Sequence, residues 1–254
     1  MSKFDFVGET KKILSGYEEN KLAPLGFEID NSDNGGECVL VMGLNPAGNE
    51  KDAKNDIVRK NNNLPYFYYL GENKKEIEGF THLLYHGAIH KFIEEIMRFN
   101  DETAGVKWPW CNIYKDIQSL PEELKRDISE YYEIHKNNQT TIYIGDMFYY
   151  HQKRSTEFKK LLNEENCPEY CKKILKMHID CLKEHNKKIK FIYIANATVS
   201  HWLNDKDNIK TNETIEGIPV FYGGMLSGIR AMDLFSRKRI INEIQSVIFK
   251  SAKS

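Results

Sequence analysis

The stretch Cys38-Val39-Leu40-Val41-Met42-Gly43-Leu44-Asn45-Pro46-Ala47-Gly48 decides how this chain is read. Its first half is apolar at every position up to Gly43, with no alternation between an inner and an outer face. A strand that is apolar on both sides is buried on both sides, as happens in parallel sheets covered by helices on each face. The second half is a turn. Pro46 fixes its own φ and biases Asn45 toward extended backbone, so one amide side chain is held at the carboxyl end of the strand. Ligands of open α/β sheets bind outside those carboxyl ends. Asn-Pro and Gly are also common loop punctuation. On the residues alone, turn and site carry equal weight.

Working outward, three more apolar runs bounded by turn residues read as strands, at 140–144, 190–195 and 218–222. Helical spacing marks 76–99, 122–135, 168–184 and 233–249, with a shorter helix near 10–20. In the last long helix Leu234, Ile240, Ile241, Ile244, Val247 and Ile248 share a face opposite Arg237, Lys238 and Glu243. Asp233 is placed to cap its start. Strand and helix in alternation imply right-handed βαβ units. The expected fold class is therefore α/β, a three-layer α/β/α sandwich around a central four-stranded, mainly parallel sheet. No repeat, low-complexity tract or Pro/Gly/Ser-rich linker interrupts the 254 residues, so a single domain over 1–254 is expected.

Composition bounds the function classes. Apolar and charged fractions of 41% and 29% are those of a globular chain. A formal charge of −1 supplies no global attraction to nucleic acid or membrane, so a nucleic-acid partner needs a local basic surface. The N-terminal residues lack the apolar run of an export signal, and no stretch approaches the roughly 18 apolar residues of a membrane span. Five cysteines cannot all pair with one another and read as thiols of a reduced compartment. A cytoplasmic location is expected, with no membrane association. Asn-X-Thr triplets at Asn138, Asn196 and Asn212 then carry no glycosylation message.

The segment Gly43-Leu44-Asn45-Pro46-Ala47-Gly48 resembles the first motif of the uracil-DNA glycosylase superfamily. It is closest to the Gly-X-Asn-Pro form of the mismatch-specific and single-strand-selective branches. The resemblance runs in order from about residue 36 to 245, strong at this motif and weaker elsewhere. It implies that Asn45 positions the water that attacks the sugar C1′, and that Gly43, Leu44, Pro46 and Ala47 line the base pocket. A small Ala47 implies tolerance of larger bases.

The same resemblance assigns the other strand ends. Thr140-Thr141-Ile142-Tyr143-Ile144-Gly145-Asp146 resembles the second family strand, which ends in a residue that reads the base edge. That residue is usually Asn, and Asp146 stands there. An ionised carboxylate only accepts hydrogen bonds, so Asp146 implies an amino-bearing base edge rather than uracil. Capping of the next turn is the structural reading of the same residue. Asn112 is of the expected type but lacks the spacing to the third strand. Phe67, then Tyr68, within Tyr66-Phe67-Tyr68-Tyr69 would stack the extruded base, although packing of a lid suits most of these aromatics. Asn196 stands where the family's third turn carries Gly and is given no chemistry. Tyr222 occupies the position of the family's catalytic His, ahead of Gly223 and Gly224. A neutral phenol can donate one hydrogen bond but carries no positive charge at pH 7. Ser227 and Arg230 would contact the leaving base or a phosphate.

Two other clusters invite a metal. Cys167, Cys171, His178 and Cys181 lie along one helix, and at about 1.5 Å per residue the span from first to last is roughly 21 Å. That is too long for one tetrahedral site, and the four read as a buried stripe with Ile174. His82, His86 and His90 recur at helical spacing without a third-ligand pattern and read as a solvated or phosphate-facing stripe. No metal or other cofactor is expected.

The expected function is a monofunctional DNA N-glycosylase, working as a monomer without cofactor and hydrolysing the bond to a deaminated or damaged base. Its partner would be DNA, single-stranded or mismatched. The alternatives are a catalytically silent binder of nucleic acid or nucleotide on the same fold, and a nucleoside or nucleotide hydrolase.

Overall fold

Buried apolar runs, each bounded by turn residues, form the centre of the molecule. The computed structural model describes residues 4–23, 27, 29, 35–45, 53, 84–99, 101–109, 122–152, 154–204, 210–227 and 231–249. In chain order these contain α1 (Phe6–Ile13), β1 (Glu37–Gly43), α2 (Leu84–Met97), β2 (Val106–Lys107), α3 (Glu122–His135), β3 (Thr140–Asp146), α4 (Ser155–Lys159), α5 (Cys167–Glu184), β4 (Lys188–Ile194), α6 (Ala197–Leu203), β5 (Asn212–Ile215), β6 (Ile218–Tyr222) and α7 (Leu234–Ile248). The strands make one sheet in the order β2-β3-β1-β4-β6-β5. Every neighbouring pair is parallel except β5–β6.

The chain is thus an α/β protein, and the four strands read from sequence are contiguous at its centre. The sheet is six-stranded and mixed rather than four-stranded. β2 has only two residues, too few to show a pattern. β5 alternates exposed and half-buried positions, as an edge strand wet on one side does. It joins β6 through Glu216 and Gly217, both at positive φ (50° and 80°), which is the geometry of a two-residue hairpin turn whose twist matches the strands.

Side-chain alternation divides the core between the two faces. Cys38, Leu40, Met42, Tyr143, Ile192, Ile194 and Val220 pack with residues of α1, α5 and α6. Val39, Val41, Ile142, Phe191, Tyr193 and Phe221 pack with residues of α2 and α7. Helices therefore cover both faces, which is why these strands are apolar throughout. The α5 stripe lies on the first of these faces: Cys167, Cys171, Ile174, His178 and Cys181 are all buried.

Local signals set the helix ends. Asp233 caps α7 by accepting from the Ser236 N–H, and Pro168 begins α5 where its missing N–H is harmless. The N-terminal helix lies earlier than its expected span near 10–20. Asp5 caps it by accepting from the Gly8 N–H at 2.8 Å, and the chain leaves helical geometry at Leu14, which bridges to Leu162. No helix among the described residues is long and apolar enough to cross a membrane.

Candidate functional site at the carboxyl ends of the strands

The parallel register aligns the strand tips. Gly43 pairs with Asp146, Met42 with Ile194, and Ile194 with Tyr222. Backbone bonds carry the pairing past the strand ends: Met147 N–H donates to Gly43 O (3.1 Å), Phe148 N–H to Leu44 O (3.0 Å), Ala195 N–H to Met42 O (2.8 Å) and Gly223 N–H to Ile194 O (3.1 Å). Of the residues singled out from the sequence, Gly43, Asp146 and Tyr222 thus end strands along one rim of the sheet.

Asn45 sits just past β1, half-buried. Its amide Nδ2 donates to Tyr150 O at 3.2 Å and to Gln152 O at 3.1 Å. Two bonds to backbone carbonyls use the two donors of the amide and fix its orientation. The loop after β1 is in this way laced to the segment after β3. Leu44 is buried in the α1/α5 layer and acts through its backbone.

Asp146 ends β3 beside Gly43. No donor among the described residues hydrogen-bonds its carboxyl. Loss of hydration is the dominant influence on it, opposed only by attraction to His151, and the two leave its pKa pushed up to about 7. The turn-capping reading therefore has no hydrogen bond to support it. His151, buried five residues further on, was missed in the sequence, although a lone His closing the run Met147-Phe148-Tyr149-Tyr150 was a signal.

The preceding residue has a different environment. A Cβ on Gly145 would lie 2.6 Å from the His178 ring and 2.9 Å from Met42 Sδ. His178 is fully buried. Its Nδ1 must donate to Ile174 O (2.8 Å), because a carbonyl only accepts, so Nε2 accepts from the Tyr149 hydroxyl at 2.6 Å. Burial pushes His178 down to about 3, so it stays neutral. It is a core histidine.

Tyr222 ends β6, buried, with its hydroxyl donated to Glu213 of β5. Burial and that carboxylate raise its pKa. It packs in the α1/α5 layer. Gly145 faces the same layer, so alternation turns Asp146 toward the α2/α7 layer. Tyr222 and Asp146 lie at the ends of β6 and β3, strands that are not neighbours in the sheet, and the Tyr222 proton is engaged by Glu213. Tyr222 straps β6 to the edge strand. Glu213 was not foreseen, because it lies on the strand whose alternating polar pattern resembled a loop.

Ser227 lies half-exposed in a bend after buried Leu226. The bend is closed by Met232 N–H donating to Met225 O, while the Tyr193 hydroxyl donates to Gly224 O at 2.9 Å. Pro46, Ala47, Phe67, Tyr68, Asn112 and Arg230 lie outside the described residues. Among the described residues no group of three or more His, Cys, Asp or Glu side chains is arranged to hold a metal ion. A shallow depression of about 350 Å³ lined by Lys91, Glu94, Glu95, Arg98 and Phe99 lies toward the other end of the sheet. Those residues approach the end of α2, which leads into β2 beside the first residue of β3.

Fold and site together define an α/β protein whose candidate ligand position is the carboxyl rim of parallel strands, centred on Asn45 and Asp146. Comparisons with protein-family models, with curated proteins and with solved structures found no match.

Proposed function

We propose that the chain is a divergent member of the uracil-DNA glycosylase superfamily, a three-layer sandwich that hydrolyses the N-glycosidic bond of a deaminated or damaged base extruded from DNA. The observation that carries the reading is the pairing of Gly43 with Asp146, which brings the end of β1, two residues before Asn45, beside a rim carboxyl with no hydrogen-bond donor among the described residues. In this reading Asn45, with its nitrogen anchored to Tyr150 and Gln152, directs Oδ1 at a water. That water attacks C1′ as the C1′–N bond breaks, the bonding pair leaves with the base, and the proton shed by the water ends on the base nitrogen. Asp146 reads the edge of the base, Phe67 or Tyr68 stacks its face, and Arg230 with Ser227 holds the backbone. No cofactor takes part, and the partner is single-stranded or mismatched DNA.

Duplex and single-stranded oligonucleotides carrying uracil, hypoxanthine or a thymine mispair, incubated with the protein and then cleaved with alkali, test this. The expected result is strand cleavage at the modified position, falling by about 10²-fold or more in Asn45→Ala. Circular dichroism checks that the variant still folds, since its amide also braces a turn.

A second reading is favoured by one observation: the Tyr222 hydroxyl, which stands where the family uses a His, is engaged by Glu213. With no cation at that position to steady the departing base, the same pocket would bind without cleaving. Base-dependent binding with no cleavage product supports that reading. No DNA binding even at low salt, where phosphate contacts are strongest, would sink both.

A further inference from the structure

We propose that His90, His135 and Asn138 form a proton-operated latch on the edge strand β2. The latch holds β2 on the sheet while both imidazoles are neutral and releases it when they take up a proton. It joins three elements: α2 supplies His90, α3 ends in His135, and Asn138 lies in the turn that leads into β3. All three side chains meet at the backbone of β2. Its working is independent of what the carboxyl rim binds.

The hydrogen bonds fix the protons. His90, whose spacing suggested a solvated or phosphate-facing stripe, is half-buried and turned to β2. A carbonyl only accepts, so its Nε2 donates to Val106 O at 3.2 Å. Asn138 Nδ2 donates to the same oxygen at 3.2 Å and gives its second proton to His135 Nδ1 at 3.0 Å. His135 Nδ1 is therefore an acceptor, and its ring is neutral. The two imidazoles lie edge to face with centroids 5.1 Å apart, so a charge on one disfavours a charge on the other. Asn138 packs against Gly105, which leaves no room there for a Cβ. The flanking charges among the described residues are Glu94 and Arg98 of α2, paired at 2.8 Å, Glu133 of α3 and Lys136, paired at 2.5 Å, and Lys107 of β2. Burial is the largest influence on both rings; Glu94 favours a proton and Arg98 opposes one. The sum holds His90 below its ordinary value and His135 down to about 4.

Protonation undoes the latch at one bond. A proton on His135 Nδ1 faces the Asn138 N–H, donor against donor. For Asn138 to accept that proton its amide must turn over. The turn takes Nδ2 away from Val106 O and sets two acceptor oxygens together. The loss falls on β2, which stands at the edge of the sheet, is two residues long and pairs through Val106 with Thr140 and Lys107 with Thr141. Its release bares the N–H and C=O groups along β3, the strand that ends at Asp146. Once released, His135 recovers its ordinary affinity for a proton, so acid favours the open form.

The test is hydrogen exchange of the full chain, read by mass spectrometry and corrected for the intrinsic effect of pH on amide exchange. Protection over residues 101–109 should fall about twentyfold between about pH 7 and about pH 5, while β4 at the sheet centre stays protected. That size follows from one imidazole passing between its ordinary 6.5 and about 4, and His90 adds to it. Two-bond proton–nitrogen NMR correlations of the histidine rings should show His135 neutral and protonated at Nε2 alone at about pH 5.5. The double variant His90→Gln, His135→Asn keeps a donor and an acceptor near the two ring nitrogens but takes up no proton, so β2 should stay closed in acid. Exchange over 101–109 that ignores pH, or that changes only together with β4, overturns the latch. So does a His135 that titrates near 6.5 or carries its neutral proton on Nδ1, or acid opening that persists in the double variant. If that variant does not fold, the wild-type exchange and NMR results decide alone.

Discussion

Two adjacent residues of β3 experience opposite consequences of burial. Gly145 is the only residue type that fits against the His178 ring, because a Cβ there would meet it at 2.6 Å. His178 cannot yield: it is fully buried and held by Ile174 O and the Tyr149 hydroxyl. Gly145→Ala should therefore cost about 1–3 kcal/mol of stability, read as a lower midpoint in urea denaturation. Asp146, one residue on, is pushed toward neutrality by loss of hydration, opposed by attraction to His151. A carboxyl whose pKa is raised on folding contributes stability that is complete below its unfolded value and is lost as pH rises through its folded value. With 3.8 rising to about 7, wild-type stability should fall across that window and then level. Asp146→Asn should remove this component and be the more stable protein above pH 7, by an amount on the order of a few kcal/mol. Urea midpoints at about pH 5 and about pH 8 would show it, and a variant less stable than wild type at the higher pH would contradict it. The sequence put Asp146 at the correct strand end. Its protonation was not legible there, because desolvation depends on what the fold packs around the strand end and not on the residue type.

At the scale of elements, legibility followed burial. β1, β3, β4 and β6 are apolar on both faces, and their sequences alone marked them. β5 has one wet face and β2 two residues, so neither rose above a loop, although Glu216-Gly217 between Ile215 and Ile218 held a hairpin signal. A capping side chain did not by itself decide how well a helix was located. The capped α1, with Asp5 at its start, lies earlier than expected, whereas α5, without a side-chain cap, and α7, capped by Asp233, fall where their spacing put them. In α7 the Asp233 carboxylate takes the Ser236 N–H at 2.9 Å and its hydroxyl at 2.8 Å, and the helix begins where the sequence placed it. Asp233→Ala should cost about 1 kcal/mol, the usual worth of such a cap, measured as a shift in thermal midpoint. Because α7 follows the bend closed by Met225 and Met232, a loss much larger than that would mean that the cap also fixes this bend.

On the scale of the whole molecule, the candidate site is braced from the far end of the chain. Thr10, in α1, is fully buried. Its hydroxyl lies 3.0 Å from Phe6 O, 3.0 Å from the Tyr170 hydroxyl of α5 and 3.0 Å from the Tyr149 N–H that donates to it. Tyr149 follows Asp146 by three residues, in the segment whose carbonyls at Tyr150 and Gln152 hold Asn45. One hydroxyl therefore ties the first helix, a second helix of the same sheet layer and the turn behind the site. Thr10→Val keeps the shape and removes the hydroxyl, which leaves the Tyr149 N–H buried without its acceptor. Stranding a buried donor costs about 1–3 kcal/mol, so the variant should unfold at lower urea concentration. If the brace also positions the site, its base-dependent DNA affinity should fall in conditions where it remains fully folded, whereas Asp233→Ala, with a comparable loss of stability, should leave that affinity unchanged. Equal DNA affinity in the two variants would confine Thr10 to the stability of the fold and separate the N-terminal helix from the work of the rim.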